Sequence, residues 1–304
     1  MKILANDGMD KNAIKALIKK GILVDSNHYE KEDLYKIIKD FDILIVRSAT
    51  KVDKDLIDIV KNTRLKLIIR AGVGLDNIDV AYAIKNGIEV RNTPNSSSNS
   101  VAELVLGHMI GLARYITIAN ITLRDGQWNK KTYTGTELSG KTFGIIGFGR
   151  IGKALAKKAR ALGMDVIFYD KFYKKDDTFN YLGFEDLLKK ADFISIHIPG
   201  TDQPIIGERE FHLMKDGVFI INAARGGIID EEALLKALNT DKVAGAGIDV
   251  FIKEPKPNKD LCNHPKVSVT PHIGAATKEA QMRIGDEILE IVMEYHETLK
   301  KLAI

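Results

Sequence analysis

Short apolar runs alternate with amphipathic helical patterns along almost the whole chain, and this alternation restricts the fold more than any single motif does. Runs at 2–5, 22–24, 43–46, 65–69 and 88–90 have the length of strands buried on both faces. Between them apolar residues recur at helical spacing, as in Ile14, Leu17 and Ile18, or Leu34, Ile37 and Ile38. A chain that reads strand, helix, strand in this way forms a parallel sheet with helices on its faces. A second series has strands at 142–146, 165–169, 193–196, 218–221, 243–248 and 267–269, with helices at 151–162 and 231–239. Between the series, Asn92-Thr93-Pro94-Asn95-Ser96-Ser97-Ser98-Asn99-Ser100 is a cluster of turn and cap residues. Val101, Leu104, Val105, His108, Leu112, Tyr115, Ile116 and Ala119 then keep helical spacing, which predicts a linker followed by one long helix. Ile284, Ile288, Ile291, Val292, Tyr295 and Leu299 predict a C-terminal amphipathic helix.

At roughly 100–200 residues per domain, a chain of 304 residues is expected to form two domains. The expected division is 1–97 plus 284–304 and 98–283, two doubly wound parallel-sheet α/β domains with a cleft between them. Composition narrows the function classes. With 45% hydrophobic and 28% charged residues the chain is an ordinary globular one. Its 45 Lys and Arg against 41 Asp and Glu are spread along the chain rather than gathered in a basic tail, which argues against a nucleic-acid partner. Cys262 is the one cysteine, so no intrachain disulfide can form, and a reducing cytoplasm is the expected compartment. No apolar run approaches the ~18 residues of a membrane span or reads as a signal peptide, so a soluble protein without a membrane partner is expected.

The strongest local motif is Phe143-Gly144-Ile145-Ile146-Gly147-Phe148-Gly149-Arg150-Ile151-Gly152, a G-x-G-x-x-G directly after an apolar strand and before a helix. In such a turn Gly147 permits the tight bend, Gly149 lets a pyrophosphate approach the backbone, and Gly152 lets the helix pack closely on the strand. Asp170 ends the next strand, eighteen residues beyond Gly152, where a carboxylate accepts from ribose hydroxyls and repels a 2′-phosphate. The cofactor expected is NAD rather than NADP. No G-x-x-x-x-G-K-[ST] occurs, and no His, Cys and Asp cluster has metal-ligand spacing, so neither a P-loop nor a metal is implied.

A nicotinamide enzyme needs a proton donor or acceptor beside the hydride and a cation for its substrate's carboxylate. Three loops after predicted strands offer them. Asn222-Ala223-Ala224-Arg225-Gly226-Gly227 holds Arg225, whose guanidinium suits a carboxylate. Asp249-Val250-Phe251-Ile252-Lys253-Glu254-Pro255 holds Glu254, and Thr270-Pro271-His272-Ile273-Gly274-Ala275-Ala276 holds His272 among small residues. An imidazole paired with a carboxylate can give a proton to a keto acid or take one from a hydroxy acid. The other histidines read as structural: His108 lies in a helical apolar pattern, and His197 ends a strand without an acidic partner nearby in sequence.

With these motifs in this order, the chain resembles the D-isomer-specific 2-hydroxyacid dehydrogenases over essentially its full length. The resemblance implies catalytic roles for Arg225, Glu254 and His272. It implies cofactor contacts at Gly147, Gly149, Arg150, Ile151, Gly152, Asp170, Ala223, Asp249, His272 and Gly274. Val46-Arg47-Ser48-Ala49-Thr50, Arg70-Ala71-Gly72-Val73-Gly74-Leu75-Asp76-Asn77, Asn92-Thr93-Pro94-Asn95 and His272-Ile273-Gly274-Ala275-Ala276-Thr277-Lys278-Glu279-Ala280-Gln281 look most like the family members that oxidise D-3-phosphoglycerate. On that likeness Arg47, Ser48, Arg70, Gly72, Val73, Arg225 and His272 contact substrate, and two strand-end cations, Arg47 and Arg70, suit a phosphate.

The resemblance further implies a homodimer built on 98–131, with Lys130 at a position where relatives carry an Arg directed at a neighbouring subunit, and a short form lacking a C-terminal regulatory domain. The reaction expected is NAD-dependent oxidation of D-3-phosphoglycerate to 3-phosphohydroxypyruvate, the entry to phosphorylated serine synthesis. The alternatives are a hydroxypyruvate or glyoxylate reductase using the same residues, and a non-catalytic NAD sensor of the same fold.

Overall fold

The computed structural model describes residues 1–302. It divides into two compact units, Met1–Ser97 together with the chain from Ala275 onward, and Ser98–Gly274.

The first unit is a five-stranded parallel sheet of β1 (Lys2–Ala5), β2 (Leu23–Asp25), β3 (Ile43–Val46), β4 (Leu67–Arg70) and β5 (Glu89–Asn92), in the order β2-β1-β3-β4-β5. Every residue of β3 is buried because helices cover both faces. On one face Leu34, Leu56, Ile57 and Val60 pack against Leu44, Val46 and Ile68. On the other, Leu17 joins Ile284, Ile288 and Val292 of the helix Lys278–Leu302 against Ile3, Ile45 and Ile69. That apolar stripe is why the end of the chain returns to the first strands. The helix crosses so closely that a methyl on Gly285 would lie 2.8 Å from the Cβ of Asp10. The return happens at Ala275, earlier than the 284 expected from sequence, because the helix begins at Lys278 and Ala280 is already buried. Ala303 and Ile304, the last two positions of the expected 284–304 segment, lie outside the described residues.

The second unit has seven parallel strands: β6 (Thr142–Ile146), β7 (Asp165–Tyr169), β8 (Asn180–Tyr181), β9 (Phe193–Ile196), β10 (Val218–Asn222), β11 (Val243–Ile248) and β12 (Val267–Val269). Their order is β12-β11-β10-β9-β6-β7-β8, so the direction of winding reverses between β6 and β9. In open α/β sheets the carboxyl ends of the strands at such a reversal are where ligands bind. The doubly wound parallel sheets expected from the alternation are present in both units. The two-residue β8 was not foreseen, since Asn180–Tyr181 carries no apolar run.

One expectation is corrected. The single long helix after the linker is two helices, Ser98–Ala113 and Ile116–Arg124, bent by 62°. Tyr115 at the break is left-handed, with φ 56°. The carbonyl of Ala113 accepts instead from the N–H of Thr136 at 2.9 Å, and Gly135 lies so near it that a Cβ there would be 2.3 Å away. Apolar spacing continues across the break, so periodicity alone could not reveal it. Val101, Val105 and Met109 of the first helix are buried against the sheet, whereas Ile116, Ile121 and Leu123 of the second are exposed. No single helix among the described residues is long and apolar enough to cross a membrane.

Candidate active site

The glycine-rich turn joins β6 to the helix Arg150–Ala161 at the point where the sheet reverses. Gly147 has φ +93°, and a Cβ on it would lie 2.4 Å from the carbonyl oxygen of His197 at the end of β9. A methyl on Gly152 would lie 2.3 Å from the Gly147 carbonyl, so glycine lets the helix close on the strand. On Gly149, by contrast, a methyl meets nothing within 4 Å. That geometry fits a pyrophosphate: the backbone is approachable at Gly149, and the first N–H groups of a twelve-residue helix carry partial positive charge there.

Phe148 holds the turn down from inside. Its ring stacks on Phe168 with centroids 3.9 Å apart, and its N–H donates to the Asp170 carboxylate at 2.8 Å. Asp170 Oδ1 also accepts from the N–H groups of Phe172 and Tyr173. Burial works against the Asp170 charge, but those three N–H groups and Lys153 outweigh it and hold its pKa below the ordinary carboxylate value. The carboxylate therefore braces the turn, a role the sequence did not disclose. His197 Nε2 meets Ser195 Oγ at 2.9 Å, while its Nδ1 is buried without a partner, and burial pushes its pKa down to about 3.

The three candidate catalytic residues follow adjacent strands, Arg225 after β10, Glu254 after β11 and His272 after β12. Tertiary structure brings Glu254 and His272, 18 residues apart, into contact: His272 Nδ1 lies 2.8 Å from Glu254 Oε2. The other carboxylate oxygen accepts from the Phe251 N–H at 3.0 Å, which fixes its direction. The Arg225 turn is shaped by Asn222, buried at the end of β10, whose side chain accepts from Ala224 N and donates to the Arg225 carbonyl. Gly226 lets this turn lie against the Glu254 loop, since a Cβ there would be 2.0 Å from the Phe251 carbonyl.

His272 has φ +53°, a left-handed backbone that costs a non-glycine residue on the order of 1–3 kcal/mol. Asp249, 1% exposed, holds it there. Its carbonyl accepts from the His272 N–H at 2.8 Å, and its carboxylate accepts from the N–H groups of Ile273 and Gly274 at 2.8 and 2.9 Å. Thr270 Oγ1 donates to the same carboxylate at 2.6 Å. Nothing in the sequence marks Asn222 or Thr270 as site residues beyond their places at the carboxyl ends of strands, Asn222 closing β10 and Thr270 following β12. Ala223 and Gly274 are buried beside these loops, and Arg150 and Ile151 open the helix at the glycine turn.

The remaining candidates lie in the first unit. Arg47 follows β3, and Arg70 ends β4, the adjacent strand, in register with Val46. The Arg70 guanidinium lies over Gly72, where a Cβ would overlap it at 1.5 Å, and the Val73 carbonyl accepts from Asn92. The loop carrying Arg47 and Ser48 is pinned by Asp7, which accepts from the N–H groups of Arg47 and Thr50 at 2.6 and 3.0 Å. Asn77 secures its carbonyls.

Known proteins resemble this chain in both sequence and fold. The family model described as "D-isomer specific 2-hydroxyacid dehydrogenase, NAD binding domain" matches residues 106–274. A hydroxypyruvate reductase of Thermotoga maritima is 48% identical over 96% of this chain and 97% of its own length. A D-3-phosphoglycerate dehydrogenase of Methanocaldococcus jannaschii is 45% identical over 95% of this chain, which spans 56% of that longer protein. Among solved structures, an Aquifex aeolicus D-lactate dehydrogenase complexed with NAD and lactic acid superposes with TM-score 0.85 at 28% identity, covering 98% of this chain and 96% of that one. The parallel-sheet fold, the glycine turn before its helix and these likenesses lead to one conclusion: the chain belongs to the D-isomer-specific 2-hydroxyacid dehydrogenase family, an NAD-using group of oxidoreductases.

Proposed function

We propose that His272 carries the proton and Arg225 the substrate carboxylate in an NAD-dependent oxidation of a D-2-hydroxy acid. The observation that carries this reading is the 2.8 Å contact of His272 Nδ1 with Glu254 Oε2. With Nδ1 donating to the carboxylate, Nε2 is the nitrogen turned to substrate, in the neutral form that can accept the C2 hydroxyl proton. NAD, when bound at the glycine turn, supplies the hydride acceptor. Glu254 fixes the imidazole tautomer and stabilises the imidazolium formed as the hydroxyl becomes a ketone. Arg225 grips the carboxylate so that C2 is presented to both partners. Asp170 sets the preference for NAD by accepting from ribose hydroxyls and repelling a 2′-phosphate.

For the substrate we favour D-3-phosphoglycerate, oxidised to 3-phosphohydroxypyruvate at the entry to phosphorylated serine synthesis, with the first unit as the substrate domain. Arg47 and Arg70, carried by neighbouring strands, offer paired cations for a phosphate, with Ser48 and the Gly72–Val73 backbone beside them. A second reading, hydroxypyruvate reduction, is favoured by the Thermotoga relative, which this chain matches over nearly its full length. We further propose a cytoplasmic homodimer, with the exposed Ile116, Ile121, Leu123 and Trp128 of 98–131 at the interface.

The test measures NAD reduction with D-3-phosphoglycerate, D-glycerate and D-lactate, and NADH oxidation with hydroxypyruvate, for wild type and Arg70→Ala. Phosphoglycerate should be preferred, and the variant should lose it selectively. A preference for glycerate and hydroxypyruvate, or an equal loss on every substrate, would overturn the phosphate assignment. His272→Ala should abolish turnover while still binding NADH; retained turnover would overturn the acid-base assignment.

A further inference from the structure

We infer that His108, set apart in sequence on the helix Ser98–Ala113, positions the catalytic loop through a directed chain of hydrogen bonds ending on Asp249. This inference rests on the reading of His272 as the proton carrier. His108 is 4% exposed, and both ring nitrogens are engaged: Nδ1 with Ser268 Oγ at 2.9 Å and Nε2 with Thr270 Oγ1 at 3.1 Å.

The direction of each bond follows from proton bookkeeping. Thr270 has one hydroxyl proton and gives it to the Asp249 carboxylate at 2.6 Å, which can only accept. Toward His108 the same oxygen is therefore an acceptor, so Nε2 carries the proton. Nδ1 is then left to accept from the Ser268 hydroxyl. The chain thus runs from Ser268 through His108 and Thr270 to Asp249, each member donating onward. Burial lowers the proton affinity of His108, against the pull of Asp249, in keeping with the neutral ring this scheme needs.

The slot for the imidazole is built into the sheet. A Cβ on Gly247 of β11 would lie 2.8 Å from the Cβ and 3.0 Å from the Cγ of His108, so this strand must be glycine where the ring lies. At the far end of the chain, the Asp249 carboxylate holds the N–H groups of Ile273 and Gly274, and its carbonyl holds that of left-handed His272. Thr270 caps that carboxylate, and His108 keeps the Thr270 hydroxyl pointed at it. The consequence is that His108 and Ser268, which touch neither substrate nor cofactor in this scheme, act as positioning residues for His272.

The experiment compares Thr270→Val, Thr270→Ser, His108→Met and His108→Gln with wild type and His272→Ala, reading kcat and KM on hydroxypyruvate and NADH affinity by fluorescence. Val and Met remove a link at similar volume, and Ser and Gln keep a hydroxyl or an Nε2 donor. Thr270→Val and His108→Met should lower kcat by about tenfold or more, as loop misplacement does, with KM and NADH affinity within about twofold. Thr270→Ser and His108→Gln should recover most of it. If Met equals Gln and Val equals Ser, the residues merely fill space and the inference fails. Nitrogen-15 NMR of the wild-type ring needs no variant: Nε2–H with bare Nδ1 from pH 6 to 8 is expected, and an Nδ1–H ring or an imidazolium overturns the chain. Turnover surviving in His272→Ala would instead overturn the role of His272 itself, leaving the NMR result to judge the hydrogen-bond chain.

Discussion

Two glycines of the same turn should fail in opposite ways when changed to alanine. In Gly152→Ala the new methyl lies 2.3 Å from the Gly147 carbonyl oxygen and 3.2 Å from Ile145 Cγ2. The first distance is roughly 1 Å short of van der Waals contact. Neither obstacle can swing aside: one is main chain in a turn with φ +93°, and the other belongs to a fully buried strand residue. The helix Arg150–Ala161 must therefore move off the strand. Overpacking of this kind costs about 1–3 kcal/mol, and the upper part of that range applies because the clash is with backbone. The better helix propensity of alanine returns up to about 1 kcal/mol, leaving a net loss of about 2 kcal/mol.

In Gly149→Ala the methyl meets nothing within 4 Å, and its cost is that of an N-cap alanine, about 0.5–1 kcal/mol. There the methyl occupies the space a pyrophosphate would use. Urea unfolding followed by circular dichroism should show the Gly152→Ala midpoint lowered by roughly 1 M, with Gly149→Ala displaced by half of that or less. NADH titration should show the reverse emphasis, with Gly149→Ala losing at least about tenfold in affinity while still folded. If Gly152→Ala unfolds with wild type, or Gly149→Ala is the less stable of the two, the assignment of packing to one glycine and cofactor approach to the other is wrong.

Acid should find His197. Its pKa in the folded protein is about 3 against an ordinary 6.5, so the unfolded chain binds the extra proton. Its cost is absent above pH 6.5 and grows as pH falls toward 3, reaching about 2 kcal/mol by pH 5. His197→Asn should reduce the pH 5–7 slope of unfolding free energy by up to one proton's worth, and an unchanged slope would show that the ring is not kept neutral by burial. Asp170→Ala strips the acceptor from three backbone N–H groups, so a stability loss of about 1–3 kcal/mol is expected together with a fall in the NAD to NADP affinity ratio. A changed ratio with no stability loss would remove Asp170 as a brace of the glycine turn. Asn222→Ala frees the Arg225 turn and should raise KM for the hydroxy or keto acid far more than for NADH, measured by steady-state kinetics; equal effects on both would count against Arg225 as carboxylate anchor.

The strands were readable because each is a short, nearly continuous apolar run, the pattern that burial on both faces demands. Thr142–Ile146, Asp165–Tyr169 and Val243–Ile248 coincide with the expected bounds for that reason. The glycine turn was readable because its residues are local to one another. Its three glycines meet distinct surroundings, a turn with positive φ, open space and a close strand, and all three lie within six residues. By itself the sequence therefore determined the α/β class, the glycine-rich turn before its helix and the loops that follow the strands of the second sheet.

Contacts between distant segments were decided elsewhere. Glu254 meets His272 because β11 and β12 are neighbours in the sheet, a fact of strand order that spacing along the chain does not contain. The bend at Tyr115 comes from Thr136 capturing the Ala113 carbonyl, and the helical spacing on both sides of it is uninterrupted. His108 reads as one more buried residue of an amphipathic helix until Ser268 and Thr270, some 160 residues away, arrive at its two nitrogens. Periodicity records whether a side chain is buried, since that depends on the face it occupies. It does not record what a buried polar group bonds to, because that partner is supplied by another strand, and only tertiary structure chooses which strand lies there.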